Sequence, residues 1–271
     1  SKGAVREGKF KEGDLHGKGK VTSSKGHVYE GKFENGKLRE GKLTDPAGDV
    51  HEGKFENGKL HGEGKRTTTD GVSEGKFENG KLHGEGTITT TDGTVHEGEF
   101  KNGWLQGEGT ITTKAGDVHE GAFEHGKLHG EGKRTYLNGE VYEGEFKRGS
   151  LHGQGKITHP DGEVHEGKFE NDKLHGQGTI TDAKGTVTME GTFEEGKLHG
   201  QGKLTDPTEG TLYEGKFEEG KLHGEGKVTT AYVVSEGDFK DGKLHGQGKE
   251  TYLAGHVYEG AFENGKLHGE G

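Results

Sequence analysis

The chain has 271 residues, of which 24% are hydrophobic, 31% are charged and 57 are glycine. So little apolar material excludes a deep globular core, and order is expected only where strict patterning gathers the few apolar side chains on one face. The formal charge of −11, from 37 basic and 48 acidic residues spread along the chain, leaves no basic stripe for nucleic acid and disfavours anionic membranes.

The absence of cysteine removes disulfides and thiolate sites. No apolar run approaches a membrane span or a signal-peptide core. The chain therefore reads as soluble, and its abrupt start at Ser1 reads as that of an excised fragment.

From the N-terminus onward a Glu-Gly step recurs at Gly8, Gly31, Gly53, Gly75, Gly98, Gly121, Gly144, Gly167, Gly191, Gly215, Gly237 and Gly260, 22 to 24 residues apart. A fixed period of this size signals a repeat architecture. Two residues after each step stands a phenylalanine, and five residues later a leucine. The first six such pairs are Phe10/Leu15, Phe33/Leu38, Phe55/Leu60, Phe77/Leu82, Phe100/Leu105 and Phe123/Leu128.

Four residues such as Glu34-Asn35-Gly36-Lys37 separate Phe from Leu, and Asn-Gly at their centre predicts a two-residue type I′ hairpin. In the third unit, counting outward from the turn opposes Phe55 to Leu60, Lys54 to His61, Gly53 to Gly62 and Glu52 to Glu63. Alternation then places Phe, Leu and the glycines on one face and Glu, Lys and His on the other. The bare Gly53–Gly62 backbone is expected to receive an aromatic ring. A β-prone stretch such as Thr87–Val95, with its own Asp92-Gly93 turn, leads into the next unit. The fold class is thus all-β: residues 1–271 form one continuous array of twelve tandem hairpins in an elongated, twisted, antiparallel single-layer sheet. At about 4.8 Å per strand it spans on the order of 110 Å before twist.

A unit such as Val141-Tyr142-Glu143-Gly144-Glu145-Phe146, followed by Leu151-His152-Gly153-Gln154-Gly155, closely resembles the MORN (membrane occupation and recognition nexus) repeat, and the resemblance covers essentially the whole chain. It implies an elongated hairpin sheet and a non-enzymatic scaffold for protein–protein interaction, in axonemal, cytoskeletal or cortical assemblies of the cytoplasm. It also implies two alternatives, a phospholipid-binding membrane module and an accessory array of a larger enzyme. The place before Glu-Gly, usually Tyr in that family, is Tyr29, Tyr142, Tyr213 and Tyr258 here but His51, His96, His119 and His165 elsewhere.

A histidine follows the leucine in ten units, among them His61, His83, His129, His152, His175, His199, His223 and His245. Rungs about 10 Å apart cannot share a zinc at ~2.1 Å per ligand, so this polar-face ladder reads as solvated consensus, with no metal or other cofactor. Protonating all 18 histidines would swing the charge from −11 to +7, which raises the expectation of acid-enhanced binding to anionic partners or phospholipid.

The same counting opposes Glu74 to Glu85 and Glu97 to Glu108, flanked by lysines such as Lys54 and Lys65. A repeated ladder of this kind reads as a charge network rather than a catalytic dyad, so no enzyme and no catalytic residue is expected.

Departures from the repeat mark candidate contacts. Trp104, the only tryptophan, stands at a turn exit where most units have Lys, and Gln106 replaces the histidine. Tyr232 lies in a short apolar connection. The second unit shortens to Leu38-Arg39-Glu40-Gly41, which predicts a local register change. The last unit stops at Gly271 with an open edge, so truncation, continuation or end-to-end dimerisation is expected.

Overall fold

The computed structural model describes residues 3–269, and among them the regular structure is twenty-four strands in twelve hairpins, from Val5–Lys11 with Asp14–Thr22 to Val257–Glu263 with Lys266–Leu267. The chain divides into two units, Ser1–Leu137 and Asn138–Gly271. Each holds six hairpins. Within each unit, consecutive strands pair antiparallel in sequence order, a meander without crossovers.

Every hairpin turn has two residues in the left-handed region, as in Asn57 (φ 49°) and Gly58 (φ 76°). This is the type I′ turn expected of Asn-Gly, whose twist matches that of the strands. The turns also tie neighbours together: the Gly80 amide donates to the Leu60 carbonyl at 2.9 Å, Gly103 to Leu82 at 2.8 Å and Gly196 to Leu174 at 2.9 Å. Asp172 replaces the turn glycine at φ 65°, and its carboxylate accepts a hydrogen bond from the Leu151 amide at 2.7 Å.

The register corrects the simple count from the turn. In the third hairpin, Val50–Glu56 with Lys59–Thr68, Phe55 faces Leu60 as expected. Gly53, however, faces Gly64 and Glu52 faces Lys65, so His61, Gly62 and Glu63 together oppose Lys54. Gly62 (φ 79°) bends the strand there into a bulge with two extra residues. Because the insertion is even, both faces keep their members and only the cross-strand partners change. The expected Glu52–Glu63, Glu74–Glu85 and Glu97–Glu108 oppositions therefore do not form; Glu52 meets Lys65, Glu74 meets Thr87 and Glu97 meets Thr110.

Paired glycines bring the backbones into contact. A Cβ on Gly98 would stand 2.5 Å from the Glu108 carbonyl oxygen and 2.6 Å from the Gly109 Cα. The space above the pair is filled first by the hairpin's own leucine: a Cβ on Gly109 would meet Leu105 Cδ1 at 2.9 Å. At Gly64 the Phe77 ring of the next hairpin follows, 3.6 Å from such a Cβ. Within each unit, the Phe that follows a hairpin with this bulge also lies opposite its glycine, as Phe77 does Gly62 and Phe169 does Gly153. Phe77 and Leu60 are consequently buried, whereas Phe10 and Leu267, the first and last of the series, are 52% and 53% exposed.

The second hairpin, Val28–Glu34 with Lys37–Thr44, lacks the bulge glycine. Lys32 faces Glu40 and Phe33 faces Leu38, so a single residue, Arg39, is left over. The predicted register change is thus a narrower bulge. Among the described backbone hydrogen bonds, none joins Gly58 to Leu38, the tie made between most other neighbours. A cleft of about 440 Å³ opens there, lined by Val21, Tyr29, Phe33, Leu38, Phe55 and the Asn57-Gly58 turn.

These contacts predict a graded response to adding one methyl group. Gly98→Ala, which drives a Cβ into backbone, should destabilise by about 2–4 kcal/mol. Gly103→Ala, whose turn has no atom within 4 Å of the new Cβ, should cost only about 1 kcal/mol. Urea unfolding followed by Trp104 fluorescence reads both in the hairpin that carries the probe. Inserting one glycine between Arg39 and Glu40 should restore the two-residue bulge and raise stability by about 1 kcal/mol, the worth of the regained Gly58–Leu38 hydrogen bond.

Candidate interaction surface

The shifted register builds a ladder of opposite charges on the polar face. In the first unit, cross-strand neighbours run Glu7, Lys20, Glu30, Lys42, Glu52, Lys65 and Glu74. In the second, Glu190, Lys203, Glu214, Lys227, Glu236, Lys249 and Glu259 do the same. Lys20 reaches Glu30 at 2.6 Å, Lys203 reaches Glu214 at 3.0 Å, Lys227 reaches Glu236 at 2.9 Å, and Lys65 is in contact with Glu74.

The hydrogen bond to Glu30, then its charge, holds the Lys20 ammonium above its ordinary pKa and the Glu30 carboxyl below its own. Such exposed pairs are screened by water and salt, so they favour this register over its neighbours more than they stabilise the fold.

The alternation fails in one stretch of the first unit. Thr87 and Thr110 take the places of lysines, leaving Glu74, Glu97 and Glu120 without an opposed cation on those strands. Glu85 of the fourth hairpin also lies directly opposite Glu99 of the fifth. All five carboxylates are solvent-exposed.

Trp104 borders this stretch. It opens the strand Trp104–Thr112, is 59% exposed, and lies beside the next turn, its Cε3 3.8 Å from a Cβ built on Gly126. Gln106, two residues on, shares its face. Tyr232 is 77% exposed in the connection before Val233–Lys240, in the other unit. The sequence-level candidates therefore occupy two places, Trp104 with Gln106 and Tyr232 apart from them.

The histidines fall into two populations. Those after the leucine stand on the polar face, paired diagonally within their own hairpins: His61 with Glu56 at 3.5 Å, His83 with Glu78 at 3.5 Å, His129 with Glu124 at 3.3 Å, His199 with Glu194 at 3.4 Å. His175 and His223 pair with Glu170 at 3.7 Å and Glu218 at 3.5 Å. At His152 and His245 the residue in the glutamate's place is Lys147 or Lys240.

Those before Glu-Gly lie on the Phe–Leu face, in a row running Ile88, His96, Ile111, His119, Arg134. Burial pushes His51, His96 and His119 below the ordinary histidine range, aided at His51 by Arg66 and at His119 by Arg134. These three resist protonation in mild acid, so the full swing to +7 is not reached there. A further gathering, which sequence reading missed, lies at the loop after Thr158 and combines His159, Glu163 and His165.

For the three half-buried histidines the folded state binds protons less readily than the unfolded chain. Their stabilisation is complete above the ordinary histidine pKa and is lost as pH falls through it. The melting temperature should therefore drop between pH 7.5 and pH 5.0. A variant carrying His96→Tyr and His119→Tyr, tyrosine being the residue at Tyr142 and Tyr213, should show a shallower drop in calorimetry.

The MORN repeat pattern matches residues 7–28, 29–50, 51–73, 74–95, 96–118, 119–141, 142–164, 165–187, 190–211, 213–231, 236–257 and 258–271. No curated protein matches this chain. Among solved structures, a catalytically inactive virginiamycin B lyase from Staphylococcus aureus with quinupristin is 14% identical, with 83% of this chain and 70% of that one covered and a TM-score of 0.16. A selenomethionine form of the S. aureus enzyme is 11% identical over 83% and 85%, with a TM-score of 0.18. A streptogramin B lyase is 12% identical over 95% and 78%, with a TM-score of 0.15. Superpositions that poor carry nothing over from the lyases. Twelve consecutive matches to the repeat do, and on them this chain belongs to the MORN repeat family.

Proposed function

We propose that this chain is a non-enzymatic scaffold whose polar face docks partner proteins, and that the acidic stretch beside Trp104 is its principal docking place, for a basic, extended protein segment. MORN repeats mediate protein or membrane interactions, and the charge pattern favours protein over membrane here. The observation that carries the reading is the local loss of lysines at Thr87 and Thr110. It leaves Glu97 facing threonine on both sides, and Glu74 and Glu120 each facing a lysine on one side only, beside the opposed Glu85 and Glu99 and next to an exposed aromatic ring.

Elsewhere on the ladder, apart from the single gap at Thr179 between Glu166 and Glu190, a partner's cation would have to displace a lysine; here it would relieve repulsion between like charges. Trp104 adds a rigid aromatic anchor and a cation–π acceptor. Assembly of cytoskeletal, axonemal or cortical structures in the cytoplasm is the role this reading supports.

Titration of Trp104 fluorescence with lysine- and arginine-rich peptides tests it. Binding should weaken as salt rises, and Glu97→Lys with Glu120→Lys should weaken it at least tenfold. Trp104→Ala should weaken binding of a labelled peptide without altering the melting curve. Unaltered peptide affinity in these variants, or binding to phosphoinositide vesicles in place of peptide, would overturn the reading in favour of another surface or a lipid-binding module.

A further inference from the structure

The loop joining Ser150–Thr158 to Val164–Glu170 differs chemically from the other connections between hairpins. Its ends are held as elsewhere: the His159 amide donates to the Glu163 carbonyl at 2.8 Å, just as Thr90 does to Thr94 and Thr113 to Asp117 at 2.9 Å. Across this closure His159 faces Glu163, and His165 lies two residues further on, on the same face. A ring nitrogen of each histidine and a carboxylate oxygen of Glu163 all lie within 4.8 Å of one another. The two rings are 4.7 Å apart, edge to face.

The surroundings of His159 add an independent sign. Its Nδ1 stands 3.0 Å from the Glu140 carboxylate, which is 22% exposed and thus more sheltered than the carboxylates of the polar-face ion pairs. Its Nε2 is buried without a hydrogen-bond partner. A carboxylate that holds one imidazole nitrogen while the other is left for a metal is the outer-shell arrangement of histidine metal ligands. Meanwhile His165 Nε2 and Glu163 Oε1 are 2.7 Å apart.

We propose that His159, Glu163 and His165 bind a zinc ion, with Glu140 orienting His159 and one coordination position left open. Two imidazoles and a carboxylate suit zinc. Donors at ~2.1 Å in a tetrahedron are about 3.4 Å apart. The cluster thus needs a contraction of its longest separation and a small widening of the His165–Glu163 contact, both within one loop and the strand beside it. This site is distinct from the polar-face ladder, whose histidines stand on separate rungs.

Cobalt(II) titration of the full chain, followed by visible absorbance, and zinc calorimetry test the site. The wild type should bind one ion with the intense absorption of tetrahedral cobalt. His159→Thr and His165→Tyr install residues found at the equivalent places, Thr113 and Tyr142, so the loop should still close. Each should weaken zinc binding at least a hundredfold, and Glu140→Gln about tenfold, while His175→Gln on the polar-face ladder should leave it unaltered. Melting in a chelator, equal for all variants, verifies folding. Absence of a saturable site in the wild type, or zinc affinity unchanged in His159→Thr or, should that variant melt early, in Glu163→Gln, would overturn the proposal.

Discussion

The close approach of two glycine backbones within each hairpin is the constraint from which the rest of the structure follows. Where Gly98 meets Gly109, neither can carry a side chain, because a Cβ on Gly98 would overlap the opposite carbonyl. The gap left above the pair is the seat of Leu105, and leucines so seated are covered in turn by the next hairpin's phenylalanine. One Phe and one Leu per repeat cannot support an isolated hairpin, but interlocked in this way they make a continuous core within each unit of a chain that is 24% hydrophobic.

The glycine pair also decides where charge falls. To bring Gly53 opposite Gly64 after the turn has set Phe55 opposite Leu60, the second strand must absorb two residues, and Gly62 in its left-handed conformation does so. That offset puts Lys65 where a plain hairpin would put Glu63. An acid–acid ladder becomes an acid–base ladder, self-neutralised over most of its length. The ladder is interrupted at Thr87 and Thr110 in the first unit, where Glu97 faces threonine on both sides, and at Thr179 in the second.

The other face and the loops carry a different chemistry. Histidines in the row before Glu-Gly lie against isoleucine and are pushed toward the neutral form, whereas those after the leucine remain on the polar side near carboxylates. At the loop after Thr158 both kinds of environment meet, and two imidazoles share space with a carboxylate. Regular repetition supplies the frame, while single substitutions on it change the local chemistry.

The sequence alone determined the all-β class, the twelve hairpins, their type I′ turns and the membership of the two faces, because each is a local property of period, turn chemistry and side-chain alternation. The Phe33–Phe123 and Leu38–Leu128 series were legible for the same reason. The cross-strand partners were not. Counting from the turn assumes an unbroken ladder, and only the packed backbone reveals that Gly53 seeks Gly64 and not Gly62. Nor could counting find Glu140 beside His159, since those residues come from successive loops that are brought together by the stacking of hairpins. Tertiary structure decided the charge ladder, the split between half-buried and exposed histidines and the cluster at His159, because each depends on which residue lies opposite another after the bulge has shifted the strand.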